Sequence, residues 1–259
     1  MSDSDEATAI QLIIDGTEVT GHAGQTILEV ADSAGIYIPR LCWLENLTPF
    51  GACRVCVVRV NGRIHSACTL PATNGMVVEN DTEELRGFRK NLIDMLFAEG
   101  NHFCMFCERS GACELQALAY RFGITAPTYP ALFPHREIDA THPDILIDRN
   151  RCVLCARCIR ASKESDGKGV FGFAGRGIQK HLIVSAEGGL AETNIDASDA
   201  AISACPTGTL LRKRTGFAVP VGERPFDRTP IGTEVESTTG PTPPHPSTPT
   251  STPAPAGKE

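Results

Sequence analysis

Eleven cysteines in 259 residues, gathered into three separate groups, constrain this chain more than any other feature. Thiols at this density have three ordinary explanations: a disulfide scaffold, zinc sites or redox metal clusters. The disulfide reading fits poorly. The N-terminal MSDSDEATA is acidic and polar rather than basic then apolar, so no secretory leader is expected. No apolar run approaches the length of a membrane span. The expected compartment is the cytoplasm, where thiols stay reduced, and an odd count would strand one of them in any case.

The net charge of −7 sets nucleic acid aside as a partner. A phosphate-binding face needs basic residues, and the only basic cluster is Arg212-Lys213-Arg214. Hydrophobic residues at 41% allow cores to form, in one large domain or two to three small ones.

Residues 10–80 predict a small β-rich domain. Leu12-Ile13-Ile14 and Thr17-Glu18-Val19 flank Asp15-Gly16 in the form of a tight hairpin, and Val55–Val60 and Ile64–Ala67 flank Asn61-Gly62 likewise. Met76-Val77-Val78 adds a strand, and Ile27, Leu28, Val30 and Ala31 predict a short helix over Thr26–Ala34, closed by Gly35. Asp81 and Glu84 read as a capping box before a helix of about 16 residues. Its Leu85, Phe88, Leu92, Ile93, Leu96 and Phe97 recur at helical spacing, as a core stripe does.

Gly100 is expected to end that helix, and another short one is expected within Gly111–Phe122. Pro127, Pro130, Pro134 and Pro143 mark a linker-like stretch. Ile145-Leu146-Ile147 then enters a third unit running to about Leu211. Phe217–Thr233, broken by Pro220, Pro225 and Pro230, is either an extended arm lying on a partner or a flexible extension. Residues 238–256 are mostly Thr, Pro, Ser and Gly and are expected to be disordered. No internal repeat is present.

The three groups fall one in each unit. The first is Cys42, Cys53, Cys56 and Cys68, spaced C-x10-C-x2-C-x11-C, with small Gly51 and Ala52 allowing backbone amides to face the sulfurs. Four thiols in a β-rich unit, three on one loop and one after a hairpin, resemble a [2Fe–2S] ferredoxin domain, although the spacing departs from the plant type. A four-thiolate zinc site is the competing explanation.

The second group is His102, Cys104, Cys107 and Cys113, spaced H-x-C-x2-C-x5-C. Three thiolates leave a four-iron cage one ligand short. Either the neutral imidazole of His102 completes it, or that histidine is a surface side chain and water or another group does so. The third group is Cys152, Cys155, Cys158 and Cys205, in which C-x2-C-x2-C is followed much later by C-P, the bacterial ferredoxin pattern. A second cage there would need cysteines at Ser162, Ala201, Ser198 and Ile195, so one cage is expected. The three groups use every cysteine and leave no thiol as a nucleophile.

Taken together, these motifs resemble the N-terminal part of the large iron–sulfur subunit of respiratory complex I over residues 10–215, with similar arrangements in iron-only hydrogenases and NAD-dependent formate dehydrogenases. Within that set the chain is most similar to the small diaphorase subunits of soluble NAD-reducing nickel–iron hydrogenases. It ends soon after the cysteine region, and it has one residue between His102 and Cys104 where complex I and iron-only hydrogenases usually have three. The single cage of the last unit and Gly216-Phe217-Ala218-Val219-Pro220 are also similar.

The resemblance implies an α+β fold in four parts. These are an N-terminal β-grasp [2Fe–2S] ferredoxin-like domain (8–80), a small helical histidine–tricysteine [4Fe–4S] unit (81–143), a bacterial-ferredoxin-like [4Fe–4S] unit (144–214), and an arm with a disordered C-terminal tail (215–259). It implies one [2Fe–2S] and two [4Fe–4S] clusters, with iron held by the residues named above and no catalytic residue in this chain.

The implied partners are a flavoprotein NAD-binding diaphorase subunit and a hydrogenase small subunit, with the nickel–iron large subunit behind it. No G-x-G-x-x-G opens a βαβ unit, so dinucleotide binding is expected elsewhere. A neutral imidazole in place of a thiolate should make the second cage easier to reduce. Two other readings remain: an electron-transfer subunit of a formate dehydrogenase with a molybdenum or tungsten partner, and a zinc-stabilised interaction module.

Overall fold

The computed structural model describes residues 8–237, so the expected disorder of 238–256 lies outside the described residues. β1 (Ala9–Ile14) and β2 (Thr17–His22) pair antiparallel across Asp15-Gly16. The φ values there, 49° and 82°, are both left-handed, which a tight turn matched to strand twist requires. α1 (Ile27–Ser33) starts with a reciprocal cap: the Thr26 hydroxyl accepts from the Glu29 amide, and the Glu29 carboxylate accepts from the Thr26 amide. Gly35, at φ 71°, turns the chain out of that helix.

β3 (Val57–Val60) and β4 (Arg63–Ser66) form the second hairpin, and β5 (Val77–Glu79) inserts between β1 (parallel) and β3 (antiparallel). The resulting order is β2-β1-β5-β3-β4. α1 covers one face of this sheet, and its Ile27, Leu28, Val30 and Ala31 share a core with Leu12, Ile14, Val58 and Val60. Each such aliphatic side chain removed from water contributes roughly 1.5–3 kcal/mol. The contact is close: a Cβ on Gly21 of β2 would lie 2.5 Å from Val30 Cγ2.

α2 (Glu83–Glu99) departs from its sequence reading in two ways. Its cap is Thr82, whose hydroxyl accepts from the Leu85 amide, while Asp81 instead pairs with Arg86. Its buried face is not the aliphatic stripe. Phe88 is exposed, Leu92, Leu96 and Phe97 are half-buried, and Arg89 and Asp94 share the interior with Leu85 and Ile93. Those polar residues bind backbone from other segments. Arg89 donates to the carbonyls of Asn80 and Val57, and Asp94 accepts from the Thr128 amide. α3 (Glu114–Arg121) follows and packs on α2.

The last unit runs β6 (Ile138–Asp139), β7 (Ile145–Asp148), α4 (Arg157–Glu164), β8 (Phe171–Ala174), β9 (His181–Val184), α5 (Ala200–Ser203) and β10 (Leu210–Arg212). β10, β7 and β6 form an antiparallel sheet in that order, and β8 and β9 form a separate hairpin. The arm divides. Phe217, Val219 and Val221 are exposed, but the part after Gly222 docks on its own chain rather than reaching out. The Phe226 amide donates to the Gly111 carbonyl, Arg224 to the Ser110 carbonyl, and Arg121 to the Ile231 carbonyl. Ile231 is buried, and α6 (Thr233–Glu236) supplies Glu236 to Arg121. The prolines do not prevent this, because the docking uses single anchors instead of a continuous strand or helix. Among the described residues, no helix is long and apolar enough to cross a membrane.

Candidate iron–sulfur sites

The first group closes on itself. Cys42, Cys53 and Cys56 share one loop, and Cys68 follows β4. The Cys42 amide donates to Cys53 Sγ at 3.3 Å. The Cys42 thiol is pushed well down by hydrogen bonds from the Cys53 and Cys68 side chains and from the Cys53 and Ala52 amides. Cys53 and Cys68 are pushed up in return, by their bond to Cys42 first and by burial. Gly51, at φ 69°, makes the loop's close approach possible, since a Cβ there would lie 3.0 Å from Thr69 Cγ2.

The second group lines one small cavity, with His102, Cys104, Cys107 and Cys113 all on its wall beside Arg151 and Gly208. The His102 ring stands edge-on to Phe97 at 5.4 Å, and its Nε2 is buried with no hydrogen-bond partner among the described residues. Burial, and then the charge of Arg151, hold its pKa down to about 4, so the imidazole is neutral near pH 7 as a metal ligand must be. Cys113 sits at the start of α3, where the Gln116 and Leu115 amides face its sulfur, and burial still pushes the thiol up to about 12. The Asn101 amide donates to the Asn150 carbonyl and ties this loop to the last unit.

The third group surrounds the start of α4. Leu154 and Ala156, at φ 52° and 59°, wind the backbone between Cys152, Cys155 and Cys158 through the left-handed region. Cys205 arrives from the far end of the unit, just before β10. Burial pushes Cys152 up to about 11 and Cys155 up to about 12. Ser162, where a ligand for another cage would stand, instead accepts from the Val170 amide at 3.0 Å. Ala201 and Ile195 are core side chains.

None of the eleven cysteines is in a disulfide. Among the described residues, no three His, Cys, Asp or Glu side chains converge as a site for a single metal ion. A multi-iron cage spreads its donors more widely, because several irons share them. The donors fit such cages: buried thiols become thiolates on taking up metal, and the buried Nε2 of His102 lacks any other partner. The groups also adjoin. One apolar core holds Cys42, Cys113 and Cys155, a cysteine from each.

Three family models match in series. They are a 2Fe-2S iron–sulfur cluster binding domain over residues 7–83, the NADH-ubiquinone oxidoreductase-G iron–sulfur binding region over 89–127, and the ferredoxin-like domain of NADH-quinone oxidoreductase subunit 3 over 142–211. The gamma subunit of the NAD-reducing hydrogenase HoxS of Cupriavidus necator is 39% identical over 220 residues, 85% of this chain and 94% of that protein. The chain belongs to the family of NAD-reducing hydrogenase gamma subunits.

A crystal structure of NAD+-reducing [NiFe]-hydrogenase in its H2-reduced state contains a chain with 46% identity and a TM-score of 0.84, matched over 87% of this chain and 96% of its own. The NADPH-Fe(3+) oxidoreductase subunit alpha of Geobacter sulfurreducens is 34% identical over 80% of this chain but only 24% of its own length. The match thus covers about a quarter of that longer oxidoreductase chain.

Several residues of this gamma-family chain escape a search for ligands. A Cβ on Gly100 would lie 2.2 Å from His102 Nε2, and one on Gly208 would lie 2.8 Å from Cys107 Sγ. Arg151 reaches to 3.6 Å from Cys107 Sγ and pairs with Glu108. Arg157, inside the C-x2-C-x2-C run, pairs with Glu114, the residue after Cys113. The available signal was adjacency: each glycine or charge lies within a few residues of a candidate donor, in sequence or across the fold.

Proposed function

We propose that this chain is the iron–sulfur relay of a cytoplasmic NAD-reducing nickel–iron hydrogenase, passing electrons between a hydrogenase small subunit and a flavin-containing NAD-binding subunit. The observation that carries the reading is the shared core, in which Cys42, Cys113 and Cys155 bring the three donor groups together. In this reading the sheet under α1 is a β-grasp ferredoxin domain over 8–80 holding a [2Fe–2S] cluster through Cys42, Cys53, Cys56 and Cys68. Residues 81–143 hold a [4Fe–4S] cluster through His102, Cys104, Cys107 and Cys113. Residues 144–214 hold another through Cys152, Cys155, Cys158 and Cys205.

When bound, the clusters accept and release single electrons. The chain itself supplies thiolates, one neutral imidazole, amide groups aimed at sulfur and a core that excludes water. Purification of the assembly under anaerobic conditions tests this. It should yield brown protein with about ten irons and ten acid-labile sulfides per chain, three reducible paramagnetic signals, and nickel in a co-purifying subunit. Molybdenum or tungsten in place of nickel would assign the relay to a formate dehydrogenase. Stoichiometric zinc without sulfide would make the chain an interaction module and end the relay reading.

A further inference from the structure

α4 carries two buried arginines one turn apart, in different electrostatic settings. Arg157, 3% exposed, is paired with Glu114 through two bonds of 2.6 and 2.7 Å. Arg160, 8% exposed, meets no carboxylate among the described residues. Its guanidinium donates instead to four backbone carbonyls: Ala156 at 3.2 Å, Cys155 at 3.5 Å, Thr48 and Cys42. The Phe50 ring covers it, with Cζ 5.6 Å from the ring centroid. One side chain therefore binds the backbone of a donor from the first group and of a donor from the third.

Burying a guanidinium without an anion is costly, and carbonyl dipoles offset only part of that cost. The missing countercharge lies on both sides of it. A cage held by four thiolates is anionic, and it gains one further negative charge when reduced. A fixed cation beside two such cages favours the reduced form of each, with little solvent to screen it.

We propose that Arg160 is a positioning residue for electron transfer between the first and third sites, fixing their facing backbones and raising both reduction potentials through its charge. The inference rests on the cluster assignment above. The step it serves moves one electron from one cage to the other, with no bond made or broken and no proton transferred.

Redox titration of the complete, anaerobically loaded chain, followed by paramagnetic resonance, tests the idea. Iron and sulfide are measured in every sample. At a fixed potential, Arg160→Gln should lower the reduced-to-oxidised ratio of the first and third sites roughly tenfold, equivalent to about 59 mV for a one-electron couple. Arg160→Lys, which keeps the charge, should stay near wild type. The histidine–tricysteine site, to whose residues Arg160 donates nothing, should not move in either variant.

Equal potentials in loaded Gln and wild-type proteins overturn the inference, as does a Lys variant shifted as far as Gln. If Gln fails to load, a loaded Lys variant at wild-type potentials still supports the charge. Failure of both to load, or a shifted Lys variant beside an unloaded Gln one, reduces Arg160 to a structural fork and overturns it. Absence of clusters from the wild-type chain would sink the relay reading itself, a result distinct from all of these.

Discussion

Replacing Gly100 by alanine tests whether His102 is a ligand without touching a single donor atom. The added Cβ would stand 2.2 Å from Nε2 and 2.5 Å from Cδ2 of the imidazole, where ordinary contact begins near 3.4 Å. The ring must retreat by about 1.2 Å, several times the ±0.2 Å over which a metal–ligand distance can vary. It has little room to retreat, because Phe97 stands against it, and the new methyl is itself held 3.3 Å from the Asn150 carbonyl.

Gly100 has φ −112°, a backbone region open to alanine, so the fold should survive. The expected outcome is selective loss of the second cage. About four of ten irons should go, with one paramagnetic signal lost, the other two unchanged, and far-ultraviolet circular dichroism as in wild type. His102→Ala should reproduce the pattern. A Gly100→Ala protein with full iron and all three signals at wild-type potentials would refute ligation by this imidazole.

Four further outcomes are expected. His102→Cys, if loaded, adds a negative charge to the second cage and should lower its midpoint by at least about 59 mV, read by redox titration. Cys205→Ala should cost about four irons and the third signal only, read by iron content and paramagnetic resonance. Glu114→Ala leaves Arg157 buried and unpaired, and should cost roughly 3–5 kcal/mol in chemical denaturation; a loss under about 1 kcal/mol would count against that ion pair. In the metal-free chain, burial and then Arg151 hold the His102 pKa at about 4, below its unfolded value of about 6.5. Its contribution is therefore complete above pH 6.5 and lost as pH falls toward 4, by about 3 kcal/mol at most, and His102→Gln should flatten that part of the stability curve.

Local chemistry made much of the fold legible. Asp15-Gly16 and Asn61-Gly62 both adopt the left-handed pairs that their residues favour, and α1 is bounded as Thr26 and Gly35 demand. The reading failed where tertiary contacts outrank pattern. At α2, Arg89 takes an interior position because two carbonyls from other segments await it, and Phe88 is left outside. No periodicity rule sees that. The docking of the arm's second half on its own chain was not legible for the same reason, since its anchors at Gly111, Ser110 and Arg121 lie about a hundred residues away in sequence. The donor groups were legible because thiol spacing on a loop is itself local, whereas Gly100, Arg151 and Arg160 act across space.

The three sites also differ in what surrounds their sulfurs, and that difference bears on how a relay can be graded. Cys42 is supported by amides of its own loop and by the thiols of Cys53 and of Cys68 beyond β4. The second cavity has a neutral imidazole and a guanidinium near Cys107, both of which reduce net negative charge at that position. The third group is enclosed by apolar residues, and burial pushes its thiols up, with charge relief from Arg136 and Arg149 at Cys152 and from Arg157 at Cys155. Ligand number alone would make the second and third donor groups near twins. Their surroundings separate them: the imidazole and Arg151 favour an added electron at the second site, and desolvation opposes it at the third. A chain that shares one core among three donor groups can therefore hold them close for transfer while setting each through a different set of neighbours.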